Sequence, residues 1–374
     1  MHTSKTNKKT IRFQKSDPFT LGVEVELQVL SASSLNLTPL GPEILRKTPP
    51  ELRPFVKPEA YQSMIEIITP VCKTLSEVEK FLREGLQTLE KIAQNEGALL
   101  LPLSLHPFSR AKEQKIWGKK RYLKIFEELQ LVGRRFIAQG LHVHLGMPDK
   151  ETALKVYNLL RPYLPLLLAL STSSPFYEGE KTGFHSYRSK LFEVLPLAGL
   201  PRSFGSWAEY EALVDILLRL KIISSLRDLW WDIRLKPELG TVEIRICDVP
   251  GRFRDLLALV AFIQALACFV SEKKPPPGLP HEIISFGKWQ AARHGLNGSF
   301  VEPEGLKRKN FRAATKELLE KLQGPARKLG SEGALKSLPL LLEERPASFR
   351  MLALFEKGAT FREIIESLRE DFWS

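Results

Sequence analysis

Residues 19–30 read Phe-Thr-Leu-Gly-Val-Glu-Val-Glu-Leu-Gln-Val-Leu, an alternation of apolar and polar side chains that predicts a β-strand. Side chains two apart on a strand share a face and lie about 7 Å apart. Glu24 and Glu26 therefore share one face, and Val23, Val25 and Leu27 take the other. The same pattern recurs along the chain. In Met64–Ile68, Glu66 stands opposite Ile65 and Ile67, and in Leu141–Leu145, His142 and His144 stand opposite Leu141, Val143 and Leu145. Glu243 and Arg245 face away from Val242, Ile244 and Ile246; Asp232 and Arg234 face away from Trp231 and Ile233.

One such strand is an ordinary solvated sheet face. Five together, in a chain whose other acids lie mostly on helices, point to a site. Clustered carboxylates repel one another unless a cation sits among them. Carboxylate oxygens are hard ligands that suit Mg²⁺ or Mn²⁺, and a planar guanidinium fork suits phosphate. The combination points to nucleotide phosphate chemistry. The His-x-His pair has a second reading as a zinc site, for which a barrel hydrolase would need further ligands on later strands. There is no GxxxxGK[ST] loop and no GxSxG elbow. Cys247, at a strand end, reads as a buried structural thiol.

Further strands are expected at Tyr61–Thr69, Ala98–Leu105 and Ala138–Met147, with a hairpin pairing Trp230–Leu235 and Thr241–Cys247. Leu75–Glu96 repeats apolar residues at helical spacing, and one helix is expected from Pro148 towards Leu170. Ser171–Arg188 reads as a loop, Trp207–Leu220 as a helix, and Arg254–Val270 as a buried helix. The fold class is α+β, an antiparallel or mixed sheet with helices on one face. The expected layout is a basic, disordered tail at 1–17, a sheet-and-helix catalytic domain at 18–272, a proline-rich linker at 273–280, and a mostly helical region at 281–374 that completes the same domain.

The chain has 374 residues, 43% hydrophobic and 26% charged, an ordinary globular composition. Its three cysteines make no disulfide framework and no CxxC pair, which suits a reducing cytoplasm. The most apolar run, Leu256–Val270, is short for a membrane span of about 20 residues. The net charge of +12 owes much to the tail and is compatible with anionic small-molecule substrates. It also leaves open a non-catalytic role in binding nucleotide or nucleic acid.

Six motifs, in order, resemble those of the type 2 glutamate–cysteine ligases, carboxylate–amine ligases with a glutamine-synthetase-like catalytic fold. They are Gly22-Val-Glu-Val-Glu26, Met64-Ile-Glu-Ile-Ile-Thr-Pro70, Gly140-Leu-His-Val-His144, Ser174-Pro-Phe with Gly183 and Ser186-Tyr-Arg188, Trp230-Trp-Asp-Ile-Arg234, and Gly240 through Asp248. Arg293-His-Gly-Leu296 also fits. The resemblance implies a funnel-like antiparallel sheet flanked by helices. It also implies a reaction in which ATP phosphorylates the γ-carboxylate of glutamate and an amine, by default that of cysteine, displaces the phosphate. Phosphagen-kinase-like phosphoryl transfer is the alternative within the same fold class.

By motif position the resemblance implies metal ligands at Glu24, Glu26, Glu66, His144 and Glu243, with Mg²⁺ or Mn²⁺ as the ion. Glu59 joins them or binds the amino group of the substrate. His142, Ser186 and Arg188 would meet ATP, and Arg245 and Arg234 would hold phosphate or the substrate carboxylate. The expected partners are small molecules, with a homodimer expected for the whole. Val25 stands where the family often has an acid, and Leu235 where it often has proline.

Overall fold

The computed structural model describes residues 11–274 and 278–374. Residues 1–10 of the expected tail and 275–277 of the expected linker lie outside them. Seven strands form one sheet: β1 (Leu21–Ser31), β2 (Val56–Pro58), β3 (Met64–Ile68), β4 (Ala98–Leu101), β5 (Leu141–Gly146), β6 (Ile233–Lys236) and β7 (Thr241–Ile244). Their order is β6-β7-β5-β1-β3-β2, with β4 also paired to β1, and every pairing is antiparallel.

The alternation in β1 decides which face is which. Val23, Val25, Leu27 and Val29 are buried in the main core, together with Ile65 and Ile67 of β3 and Leu141, Val143 and Leu145 of β5. A one-residue slip would turn all of these apolar groups to the other face. Helices cover this face: α1 (Leu75–Asn95), α3 (Lys150–Leu160), α4 (Leu164–Ser171), α5 (Trp207–Arg219) and α6 (Phe253–Ser271), while α2 (Lys120–Arg134) lies elsewhere. Thr74 caps α1 by accepting from the Glu77 N–H at 3.3 Å, and Asp149 caps α3 by accepting from Thr152 at 2.7 Å.

The helix expected from Pro148 to Leu170 is two helices, α3 and α4, separated by a 3₁₀ turn at Arg161–Tyr163. Pro162 and Pro165 lack the N–H that a continuous α-helix needs. Trp230–Trp231 belongs to no hairpin; it pairs in parallel with Ala198–Gly199, and the hairpin begins at Ile233. The expected loop at Ser171–Arg188 contains a small hairpin, Phe176–Tyr177 with Glu180–Lys181.

Helix α6 is long and apolar enough to cross a membrane, and nearly all of its side chains are buried inside the fold. Helices α7 (His281–His294) and α8 (Phe311–Lys328) extend the same core, which runs from Leu21 to Phe372 and includes Phe311, Leu322 and Leu338. Residues 11–17 are seated on this body and do not form a loose tail. Ile11 and Phe13 pack against the core, the Phe13 ring stands edge-on to Trp207 at 5.6 Å, and the Gln14 N–H donates to the Pro237 carbonyl at 2.8 Å.

Candidate functional site

The other face of the sheet carries the polar side chains and borders a partly open pocket. A cavity of ≈ 530 Å³ lies against it, lined by Glu24, Glu26, Glu59, Glu66, His142, Arg234, Lys236 and Arg245, with α2 forming a wall through Tyr122, Phe126 and Leu129. The strand register brings the chemistry together. Glu24 is directly across from His142, Glu26 from Glu66, and Glu243 from both His144 and Arg234.

Glu24 sits between the two imidazoles. Its Oε2 is 2.9 Å from His142 Nδ1 and its Oε1 is 3.0 Å from His144 Nε2. Burial raises the Glu24 pKa, but the hydrogen bonds from His142 and His144 outweigh it and hold the carboxyl well below the usual range. His144 is likewise buried, yet Glu243 and Glu24 push its pKa up, favouring an imidazolium whose Nδ1 also reaches Thr241 Oγ1 at 3.1 Å.

Glu243 is 1% exposed and is held by both arginines. Arg234 Nε and Nη2 donate to its two oxygens at 2.7 and 3.0 Å, and Arg245 Nη1 donates at 2.6 Å. Burial pushes this carboxyl up, and the charges of Arg245 and Arg234 together overturn that, so it stays ionised far below the ordinary range. The third Arg234 nitrogen, Nη1, donates to the Leu229 carbonyl at 3.1 Å. Arg234 thus has protein partners on all three nitrogens and also lines the cavity. Arg245 has one side-chain hydrogen bond among the described residues, to Glu243, and otherwise faces the cavity.

Glu59 and Glu66 have no such support. Burial, followed by the charges of Glu26 and Glu24, pushes the Glu59 carboxyl up to about 8. Burial, followed by Glu24, Glu59 and Glu26, raises Glu66 well above its ordinary value. Anionic repulsion of this kind is what a bound cation relieves. Two groups of donor atoms lie within 4.8 Å of one another: Glu24, His142 and Glu243, and Glu26, Glu66 and His142. His142 Nε2 is buried without a hydrogen-bond partner and is 3.9 Å from Glu26 Oε1. A hard divalent cation fits this donor set. His142, expected to meet ATP, belongs to both groups; His144, expected as a ligand, belongs to neither.

Ser186 and Arg188 are not in the cavity lining. Ser186 Oγ donates to Asp248 Oδ1 at 2.9 Å, and Ser174 Oγ donates to Asp248 Oδ2 at 2.7 Å, so a completely buried carboxylate ties the loop down. Arg188 donates to the Ile246 and Arg245 carbonyls at 3.2 and 3.3 Å and stacks over Phe192 at 4.8 Å. Both side chains have protein partners, and Arg188 Nε is buried without one. Arg188 also fills the space beside Gly140: a Cβ there would lie 2.2 Å from Arg188 Nη2.

Several lining residues escaped the sequence reading. Lys57, Arg121, Tyr122, Arg227, Trp230 and Lys236 all reach the cavity. For Lys236 a signal existed, since it lies two residues from Arg234 and shares its face of the strand. The residues of α2 gave none, because its apolar side chains line the cavity and pack on a smaller core cluster around Tyr61 and Phe126.

The family described as Glutamate-cysteine ligase family 2 (GCS2) matches residues 20–368. A protein of Gloeobacter violaceus named "Putative glutamate--cysteine ligase 2" is 38% identical over 365 residues, covering 96% of this chain and 98% of its own. One of the same name from Bdellovibrio bacteriovorus is 39% identical over 374 residues, covering 98% of each chain. Among solved structures, the glutamate–cysteine ligase of Francisella tularensis in complex with AMP has a TM-score of 0.71 at 13% identity, over 96% of this chain and 89% of that one. A bifunctional glutathione synthetase from Pasteurella multocida has a TM-score of 0.70 at 17% identity, over 95% of this chain and 52% of that one. These two likenesses show the fold, an α+β ligase fold with a large antiparallel sheet flanked by helices.

Proposed function

Because this chain belongs to glutamate–cysteine ligase family 2, whose members are ATP-dependent carboxylate–amine ligases, we propose that it joins the γ-carboxylate of glutamate to an amine, with cysteine as the default amine, through an acyl phosphate. The observation that carries this reading is a cavity lined by Glu24, Glu26, Glu66 and His142, which belong to two carboxylate–imidazole donor groups, beside Arg245, whose side chain also lines it.

A carboxylate resists attack by an amine because hydroxide or oxide is a poor leaving group. In the proposed sequence a γ-carboxylate oxygen attacks the terminal phosphorus of ATP and ADP departs. The amine nitrogen then forms a bond to the acyl carbon, the carbon–oxygen bond to phosphate breaks, and the nitrogen gives up a proton. Glu24, Glu26, Glu66, Glu243 and His142 would hold Mg²⁺ or Mn²⁺, which when bound offsets charge on the transferring phosphoryl group. His144 keeps Glu24 aimed at this site from the side, through its contact at 3.0 Å.

Arg245 is assigned to the phosphoryl group or the substrate carboxylate, because its fork faces the cavity and its planar geometry matches either. Arg234 acts through Glu243, as a positioning residue. Glu59 receives the substrate's amino group: a carboxyl that carries its proton near neutral pH for want of a cation ionises when an ammonium arrives. The apolar wall from Phe126 to Phe136 and Phe192 keeps water from the acyl phosphate.

The test is phosphate release from ATP and Mg²⁺ with glutamate against a panel of amino acids and amines, with product masses read alongside. A γ-glutamyl amide of one panel member is the expected product. A phosphorylated product with no amide from any amine would refute amide formation and favour simple phosphoryl transfer.

A further inference from the structure

Six cationic side chains line the cavity: Lys57, Arg121, Arg227, Arg234, Lys236 and Arg245. Lys57, Arg121 and Arg227 are exposed at the rim. Arg234 and Arg245 are bonded to the buried Glu243. Lys236 differs from all of these. It is 7% exposed overall, and its ion-pair partner among the described residues is Glu238, 2.9 Å away with a side chain 46% exposed. A buried ammonium thus stands in the cavity lining while its counter-ion is half-exposed.

This arrangement is unusual energetically. Buried cations are normally held by buried acids, because removal from water is costly and is offset only by a close partner in the same low-dielectric region. A half-exposed glutamate is a weaker partner than a buried one, because solvent screens it. An anion entering the cavity would meet Lys236 on its buried side and compete with Glu238 on favourable terms.

The backbone around Lys236 needs no rearrangement for such an exchange. The turn that follows it is clamped by the N-terminal segment. The Gln14 N–H donates to Pro237 O at 2.8 Å and Ser16 Oγ to Leu239 O at 2.8 Å. Gly240, at φ +65°, leaves no room for a Cβ, which would lie 1.8 Å from Gln14 O. Only the lysine side chain has to swing. Its neighbours are also fixed: Thr241, its cross-strand partner, is bonded to His144 Nδ1 at 3.1 Å.

We propose that Lys236 is an oxyanion-binding residue that leaves Glu238 to hold a carboxylate or phosphate of a substrate at the hairpin end of the cavity. The identity of the ligands rests on the ligase reading above: the two sources of that oxyanion are the amino-acid carboxylate and the phosphates of ATP. The lysine's role is separable from its pairing with Glu238 because the two residues predict opposite effects.

The experiment is calorimetric binding of ATP with Mg²⁺, and separately of glutamate, to the wild-type protein and to the Lys236→Met, Lys236→Arg and Glu238→Gln variants. Lys236→Met is expected to weaken one of the two ligands tenfold to hundredfold, and Lys236→Arg to restore it to within a few fold. Glu238→Gln frees the lysine and is expected to tighten the same ligand severalfold. Loss for ATP assigns the phosphate, and loss for glutamate assigns the carboxylate. Unchanged binding of both ligands by Lys236→Met overturns the proposal. So does an equal loss in Glu238→Gln, which would mark the pair as structural. Should Lys236→Met not fold, Glu238→Gln alone decides, tighter binding supporting the proposal and weaker or equal binding refuting it. Wild-type protein that binds both ligands but makes no amide would refute the ligase reading and leave the Lys236 comparison standing. Wild-type protein that binds neither ligand overturns this assignment.

Discussion

Replacing Glu59 by Gln should stabilise the metal-free protein, and by an amount that depends on pH. The Glu59 carboxyl is raised to about 8 by burial and by Glu26 and Glu24, against an ordinary 4.5. A folded state with the higher pKa keeps a proton that the unfolded chain gives up. Stability from this group is therefore complete below 4.5 and is lost as pH rises to about 8. One proton corresponds to about 1.4 kcal/mol per pH unit in that window, so at pH 7 the ceiling is about 3 kcal/mol. Contact of the side chain with cavity water lowers this, and about 1–3 kcal/mol is expected. The assay is urea unfolding with chelator present, for both proteins, from pH 5 to 8. The stability difference between Glu59→Gln and wild type should grow across that range, and saturating Mg²⁺ should stabilise the wild type more at pH 8 than at pH 5. A difference that stays flat with pH would show that Glu59 ionises normally and that the carboxylates do not crowd one another.

Other perturbations follow from the same structure. His106 is fully buried, its Nδ1 accepts from the Ser109 N–H at 2.9 Å, its Nε2 is 2.8 Å from Leu35 O, and burial lowers its pKa to about 4. The folded protein keeps it neutral down to about 4 while the unfolded chain takes up a proton below 6.5, so up to about 3 kcal/mol of stability is lost as pH falls from 6.5 to 4; thermal melts of His106→Leu should lack that acid-side slope. Gly240→Ala drives a Cβ into Gln14 O at φ +65° and should cost about 1–3 kcal/mol in urea unfolding. Deleting residues 11–17 should then make Gly240→Ala far less costly, and an unchanged cost would deny that this segment clamps the hairpin. Arg234→Leu leaves Glu243 without its bidentate partner and should cost about 3–5 kcal/mol of stability. Arg245→Gln should instead lower ATP turnover steeply with a smaller stability loss; the reverse ranking in paired melts and turnover assays would exchange their assigned roles.

Period-two alternation made the polar face legible, because it needs only one strand at a time. Glu24, Glu26, Glu66, His142, Glu243, Arg234 and Arg245 all lie where that rule sets them, around one cavity or directly beside it. Register is another matter. The pairing of Glu243 with Arg234 and His144, and of Glu24 with His142, depends on which residues of distant strands face each other, and alternation carries no information on that. This is why the sequence alone did not place His142 in both donor groups or pair Arg234 with Glu243. Ser186 shows the same limit: nothing in its Ser- and Gly-rich loop signals that it binds Asp248, 62 residues away in sequence. Helix α2 stayed hidden because Leu123 and Leu131 are 48% and 60% exposed, so its apolar residues follow no core-facing stripe, and a non-helical Gln130 at φ 48° interrupts it.

The central claim is that the carboxylate passes through an acyl phosphate in this cavity. The most direct measurement uses glutamate carrying ¹⁸O in its γ-carboxylate, with ATP, Mg²⁺ and the amine that supports turnover. Phosphoryl transfer to a carboxylate oxygen followed by displacement of phosphate requires that one labelled oxygen leave with the phosphate. The account predicts inorganic phosphate bearing one ¹⁸O for each amide formed. Amide formation with unlabelled phosphate, or with the label in AMP, would contradict it.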